Sequence, residues 1–307
     1  MRAFFAKPFR WAILYAVLLT GAFVFVLLDT FVVPKAYATV SEEQGAGAAE
    51  ESAAETEDGE EAIAAVSEPV ITDTSYEDEN IKITITTTRE YDTTVHIADI
   101  QIKDVRYLKT AFAAGTFGRN ITETTSDMAE DHGAIFAING DYCGFRDSGY
   151  VLRNGVLYRS TGTDTALVLD GDGNMYCAAE SALEDTDSLW QIWSFGPVLV
   201  EGSEIQVDVN TEISGRSMSS NPRTAIGQIE PLHYVFIVSD GRTNDNEGLS
   251  LYQLASVFQD YGCEVAYNLD GGGSSTMWFN GTLVNAPTTN GRRVSEREVG
   301  DIVYIGY

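Results

Sequence analysis

The run WAILYAVLLTGAFVFVLL, Trp11 to Leu28, sets the first boundary condition on this chain of 307 residues. It carries no charge, and roughly 18 to 20 apolar residues suffice for a helix to cross the hydrocarbon core of a bilayer. Arg2, Lys7 and Arg10 precede it, and flanking basic residues stay on the cytoplasmic side. Everything beyond the run is therefore expected outside the cytoplasm, on a single-pass chain. Ala36 to Ala38 (AYA) has the small-x-small form of a signal-peptidase site. The apolar run nevertheless exceeds the roughly 7 to 15 residues of a signal peptide. Residues 1–38 are read as a cytoplasmic stub and an uncleaved signal anchor.

Residues 39–80 hold fourteen Asp or Glu and no Lys or Arg, and are rich in Ala, Gly, Ser and Thr. Such a stretch buries too little apolar surface to offset its conformational entropy. It reads as a solvated, self-repelling linker; an Ala/Glu-rich helix is the alternative, but no apolar stripe is there to dock it. The whole chain carries a formal charge of -27, which argues against a nucleic-acid partner because an acidic surface repels phosphate backbones.

Residues 81–307 read as one folded domain. IKITITTT (Ile81 to Thr88) and TVHIADIQI (Thr94 to Ile102) alternate apolar and polar residues with period two, the pattern of half-buried antiparallel strands. AIFAIN (Ala134 to Asn139) is apolar throughout and predicts a central strand. Hairpins are expected at Asn154-Gly155, at Asp170 to Asn174, around Glu230-Pro231 and at Asn280-Gly281. Helices are few. Ser250 and Gln253 form a capping-box pair ahead of Leu251, Leu254 and Phe258 on one face, and Gly262 supplies the stop; a shorter helix covers Ser126 to Gly133. The expected class is α+β, a mixed and largely antiparallel sheet with hairpins and a few packed helices. Cys143, Cys177 and Cys263 are odd in number, so one disulfide with one buried thiol, or three thiols, both remain open.

Polar residues collect at the ends of the apolar strands: Asn139-Gly140-Asp141, Asp240-Gly241-Arg242, and Asp270 followed by Gly271, Gly272, Gly273, Ser274 and Ser275. Loops fixed at strand ends by a rigid sheet are where binding sites are usually built. Two glycines suffice for a tight turn, so the third needs a reason. Successive glycines can aim backbone N–H groups into one concavity, an anion nest to which the serines add hydroxyl donors. Asp141, Asp240 and Asp270 together also offer oxygen ligands for Ca²⁺ or Mg²⁺ as an option. His96, His132 and His233 share no motif, which argues against a histidine triad or a zinc site.

AINGDY (Ala137 to Tyr142), NPRTAIGQ (Asn221 to Gln228), VSDGR (Val238 to Arg242), the stretch from Gly248 to Gly281 containing YNLDGGGSSTMWFNG, and EREVGDIVYI (Glu296 to Ile305) occur in this order. Together they resemble the phosphodiester glycosidase family, over roughly Ile81 to Tyr307. Bacterial members are often described as exopolysaccharide-related surface proteins. The resemblance implies hydrolysis of a sugar 1-phosphodiester, in a phosphate-linked glycan, between the anomeric carbon and the bridging oxygen. On that reading Asp270 is the carboxylate nearest the anomeric centre, as base or nucleophile. Arg223 and Arg242 clamp phosphate with bidentate geometry, Gly272 to Ser275 share the anion, and Arg297 matches a family arginine. Asn139 and Asp141 hydrogen-bond the sugar, Asp240 is a second carboxylate or orienter, and Tyr142 and Phe145 stack on the ring. A non-catalytic phosphoglycan-binding or polysaccharide-assembly surface protein would use the same groups, as would a transferase passing the sugar to a glycan.

Overall fold

A computed structural model describes residues 9–40, 68–162, 164–209 and 220–307. Most of the acidic linker, residues 41–67, lies outside the described residues.

The alternation of IKITI places Ile81, Ile83 and Ile85 inside and Lys82 and Thr84 outside. This strand belongs to an antiparallel nine-stranded sheet at whose centre Val265–Asn268, Arg223–Glu230, His233–Ser239, Thr93–Ile102 and Ile81–Glu90 lie side by side. Its central strands are buried on both faces. On one face Val95, Ile97, Val235 and Ile237 pack under the helix Leu251–Asp260. That helix starts at the expected Ser250–Gln253 capping box, and Gly262 behind it has a φ of 77°. On the other face Ile83, Ile100, Phe236 and Tyr267 meet Phe136, Ile138, Met277 and Val303 of a five-stranded sheet.

In that second sheet Phe136–Asn139 is central, between Met277–Phe279 and Asp301–Ile305. A helix, Thr125–Asp131, covers its far side and packs against Ala137, Trp278, Ile302 and Tyr304. A further five-stranded sheet, including Gly149–Arg153, Thr165–Asp170 and Leu189–Trp193, adds Leu167, Leu169 and Trp193 to the main core. The class is α+β, and every described strand pair is antiparallel. The four hairpin turns fall where the sequence places them. Asn154 and Gly155 (φ 51° and 78°) and Asn280 and Gly281 (φ 44° and 86°) take the left-handed conformations that two-residue hairpins require. Cys143, Cys177 and Cys263 are all free thiols.

Two features depart from the expected boundaries. Val70–Ile71 and Ser75–Glu77 extend the nine-stranded sheet, and Tyr76 is buried in its core, so the folded body begins inside the stretch read as linker. The apolar helix Arg10–Phe31 buries none of its residues in the protein. Directly after it, Lys35–Thr39 pairs antiparallel with Thr116–Arg119. Chain assigned to the anchor and the start of the linker is thus part of a sheet.

Candidate active site

The strand Val265–Asn268 and the strand Phe136–Asn139 end beside each other, in different sheets. Asn139 holds the two ends together. Its Nδ2 donates to the Asp270 carbonyl at 2.7 Å and its Oδ1 accepts from Thr224 Oγ1 at 2.8 Å and Thr276 N at 3.2 Å. The side chain is fully buried. It fixes where Asp270 leaves the core, and its amide does not reach a sugar as the sequence reading had it.

A cavity of about 170 Å³ opens at this junction, walled by Gly140, Tyr142, Phe145, Asp270, Ser274 and the stretch Arg297 to Asp301. The Asp270 side chain is 13% exposed. Its Oδ1 accepts from Gly271 N at 2.9 Å, and Arg297 Nη2 lies 3.3 Å from Oδ2. Arg297 also donates to Ser274 Oγ, through Nε at 3.0 Å and through Nη2. Burial pushes the Asp270 carboxyl above its ordinary value, opposed by the Ser274 hydroxyl, Arg297, the Gly271 N–H and Arg146. Tyr142 and Phe145 stack at 4.7 Å on the wall, with Tyr142 38% exposed at a φ of 71°. An apolar ring surface thus stands beside a carboxylate and a cation.

The glycines do something other than form an open nest. Gly272–Ser274 is a 3₁₀ turn in which the N–H of Gly272 goes to Pro222 O, that of Ser274 to Gly271 O and that of Ser275 to Gly272 O. Their value is close approach. A Cβ on Gly271 would lie 2.9 Å from Pro222 O, on Gly272 2.7 Å from Arg242 Nη2, and on Gly273 2.6 Å from Thr289 Oγ1. Three segments press on the loop, one per glycine, and this accounts for the third. Ser274 faces Arg297, whereas Ser275 Oγ is buried with no hydrogen-bond partner.

Arg242 and Arg223 sit behind the loop, outside the cavity wall. Arg242 donates to Asn221 Oδ1 at 3.2 Å and Thr289 O at 2.7 Å. Arg223, 7% exposed, donates through Nε to Leu249 O at 2.9 Å. Burial and then Arg242 bring the Arg223 guanidinium down to about 10. Burial and then Arg297 lower Arg242, against the pull of Asp270. Arg242 is close enough to feel the charge of both Arg223 and Arg297, so positive charge runs from behind the loop to the cavity wall.

Two expected carboxylates point elsewhere. Asp240 accepts from Ala286 N at 2.9 Å and Asn285 Nδ2 at 3.4 Å, with His96 Nε2 at 3.8 Å. Burial raises its carboxyl, but the nearby His96 ring and the bonds from Ala286 and Asn285 leave it below the ordinary value. Since Asn285 also donates to Ser275 O at 3.0 Å, Asp240 braces the glycine loop from behind. Asp141, 1% exposed, pairs with Arg153 Nη2 at 2.9 Å and accepts from Ser194 N at 2.9 Å. Neither is placed to touch a sugar, and Asp141, Asp240 and Asp270 do not converge on one ion. Among the described residues the cluster that could ligate a metal is Asp141, Cys143 and Asp301. Its cation is Arg153, which also pairs with Asp301 at 3.0 Å.

Sequence reasoning passed over four groups here: Arg146, Arg153, Glu298 and Asp301. Asp301 is the first residue of a strand, and Gly140 is glycine because a Cβ there would come within 2.3 Å of that carboxylate. Burial and then Asp141 raise the Asp301 carboxyl to about 6, against Arg153. Only the EREVGD motif pointed to this segment.

Known proteins resemble this chain in sequence and fold. An uncharacterized protein, YomE, derived from the SPbeta prophage of Bacillus subtilis is 32% identical over 206 residues, 62% of this chain and 31% of its own. The N-acetylglucosamine-1-phosphodiester alpha-N-acetylglucosaminidase of Mus musculus is 29% identical over 196 residues, 57% of this chain and 37% of its own. The chain thus spans about a third of the length of these curated relatives. Among solved structures, the catalytic domain of the zebrafish enzyme of that name, auto-inhibited by its pro-peptide, superposes with a TM-score of 0.61 at 22% identity, covering 74% of this chain and 83% of that one. A hypothetical protein from Synechocystis gives 0.56 at 13% identity, covering 74% and 62%. The sequence profile for phosphodiester glycosidases matches residues 132–306. That match runs from just after the helix Thr125–Asp131, through the Asn139 strand and the glycine loop, to the strand of Asp301, and with it the chain belongs to the phosphodiester glycosidase family.

Proposed function

We propose that this protein is an extracytoplasmic hydrolase that cleaves a sugar 1-phosphodiester, of the N-acetylglucosamine type, at the anomeric C–O bond. The observation that carries this reading is the placement of a partly desolvated carboxylate, Asp270, against Arg297 in a cavity backed by two more arginines. Water adds to C1, the C1–O bond breaks and its electron pair leaves on the phosphate monoester. The water proton passes to Asp270 if it acts as base. If it acts as nucleophile, the glycosyl-carboxylate ester is hydrolysed in a second step. Positive charge growing at C1 is met by the carboxylate, and negative charge growing on phosphate by Arg297, with Arg242 behind it. Phosphate leaves readily without strong acid assistance, so one carboxylate with cationic support suffices. Tyr142 and Phe145 offer the sugar a flat apolar face.

In the full-length protein, release of N-acetylglucosamine from its alpha-linked 1-(methyl phosphate) is the direct assay. Asp270→Asn should lower the rate by about 10²–10⁴-fold, the worth of a positioned acid–base group, with an unchanged melting temperature. Substrate bound but uncut by the native chain would make it a binding protein instead. Sugar appearing on an added glycan acceptor would make it a transferase.

A further inference from the structure

The segment following the apolar helix does not behave as the start of a tether. Three residues, Val32 to Pro34, separate the helix Arg10–Phe31 from the strand Lys35–Thr39. That strand is sewn onto the domain, from Lys35 opposite Arg119 to Thr39 opposite Thr116, with a bulge between Ala36 and Ala38. Val40 N continues the attachment to Gly115 O at 2.9 Å. Gly118 is glycine because a Cβ there would lie 2.2 Å from Lys35 O. Tyr37 meets Phe117 edge-on at 5.9 Å, and Ala38 packs against the cluster of Phe112, Phe117, Cys143 and Val151. The helix end itself is gripped, since Asn120 Nδ2 donates to Thr30 O and to Val33 O, both at 3.2 Å.

The partner strand Thr116–Arg119 leads on to the cavity. Two residues after Asn120, Thr122 Oγ1 donates to Glu298 Oε2 at 2.7 Å, and Glu123 bridges Val299; Glu298 and Val299 are cavity wall. At no more than about 3.5 Å per residue, the chain path from the end of the helix to the cavity wall is at most about 15 Å, which keeps the wall at or just above the headgroup layer. A helix of 22 residues spans about 33 Å, a match for the hydrocarbon core, and polar headgroups add about 5–8 Å on each side. A flexible linker of residues 39–80 would instead let the domain range over about 35 Å.

We infer that the strand Lys35–Thr39 is a rigid strap that holds the cavity close to the membrane surface, and that the substrate is a membrane-embedded glycosyl phosphodiester whose alcohol is a lipid. This rests on the glycosidase reading above. The reaction is sugar–O–PO₂⁻–O–lipid plus water giving free sugar and the lipid phosphomonoester, with one proton released; the lipid phosphate stays in the bilayer. Ala36 to Ala38 lie inside the strap, so the chain keeps its anchor.

The test uses the full chain in phosphatidylcholine vesicles with two probes, N-acetylglucosamine 1-phosphodiesters of a long-chain alcohol embedded in the same vesicles and of methanol in solution. The embedded ester should turn over at least tenfold faster at equal bulk concentration. Inserting twenty Gly/Ser residues between Val33 and Pro34, together with Asn120→Gly to release Thr30 O and Val33 O, leaves the strap paired but frees it from the helix. It should erase that preference without changing the methyl-ester rate. A preference that survives the insertion, a faster methyl ester, or a mature chain starting at Thr39 overturns the inference. Placement has its own readout: a fluorophore on Asp147→Cys, which shares a groove with Tyr37 of the strap, should be quenched by headgroup-labelled lipid in the native chain and released by the insertion. No quenching in the native chain overturns the strap. Cleavage of neither ester with quenching intact removes the substrate assignment and the glycosidase reading together, and leaves the strap standing.

Discussion

Asp270 and Arg297 face each other across 3.3 Å at the cavity wall. Burial raises the Asp270 carboxyl, and Arg297 works against that rise. If Asp270 reacts as the anion, activity falls as pH drops through its raised value, so the acid limb of kcat/KM lies above the ordinary 3.8 of a carboxyl. Arg297→Gln removes a cation that favours the ionised form, so the value climbs further and the limb moves to higher pH. A pH profile of both proteins decides this; a limb that stays put or moves to lower pH removes Arg297 from the neighbourhood that tunes Asp270. Asp270 was visible in the sequence because it stood between an apolar strand and three glycines. Asn139 and Asp141 were visible by the same rule, yet their atoms are consumed inside the protein. A strand end tells that a side chain stops near the rim, and not which way it turns.

At the scale of the element, the glycine loop is a packing joint. Gly273→Ala places a Cβ 2.6 Å from Thr289 Oγ1 and 3.2 Å from Thr289 Cα. Overpacking of this kind typically costs about 1–3 kcal/mol. Urea unfolding should show that loss, and Thr289→Gly should restore part of it by removing the atoms struck first. An equal loss in both backgrounds would mean the glycine is required for its backbone alone. The hairpins and the capped helix Leu251–Asp260 were readable because each is set by residues within a few positions of one another. The 3₁₀ turn was read as an open nest, because what fills its N–H groups includes Pro222, far away in sequence.

For the whole molecule, the folded body reaches back beyond Ile81. Tyr76 is 7% exposed, and its hydroxyl donates to Asp78 at 2.6 Å, as does that of Tyr307. A chain beginning at residue 81 loses this aromatic and the two outer strands, and should be less stable than one beginning at residue 68 by on the order of 2 kcal/mol or more. It should also associate more readily through the uncovered edge of Ile81–Glu90. Equal stability in urea would show that those strands are ornament. Sequence by itself determined the apolar span, the α+β class and the family, because hydrophobic periodicity, turn chemistry and motif order are local properties of the chain. Only the tertiary structure decided that Arg297 rather than Arg223 or Arg242 lines the cavity with Asp270, that Asp301 lines it with Arg153 paired to its carboxylate, and that the strand after the apolar helix pairs with the domain. Those are contacts between residues tens to hundreds of positions apart, and burial and charge at such a contact come into being only when the sheets close on each other.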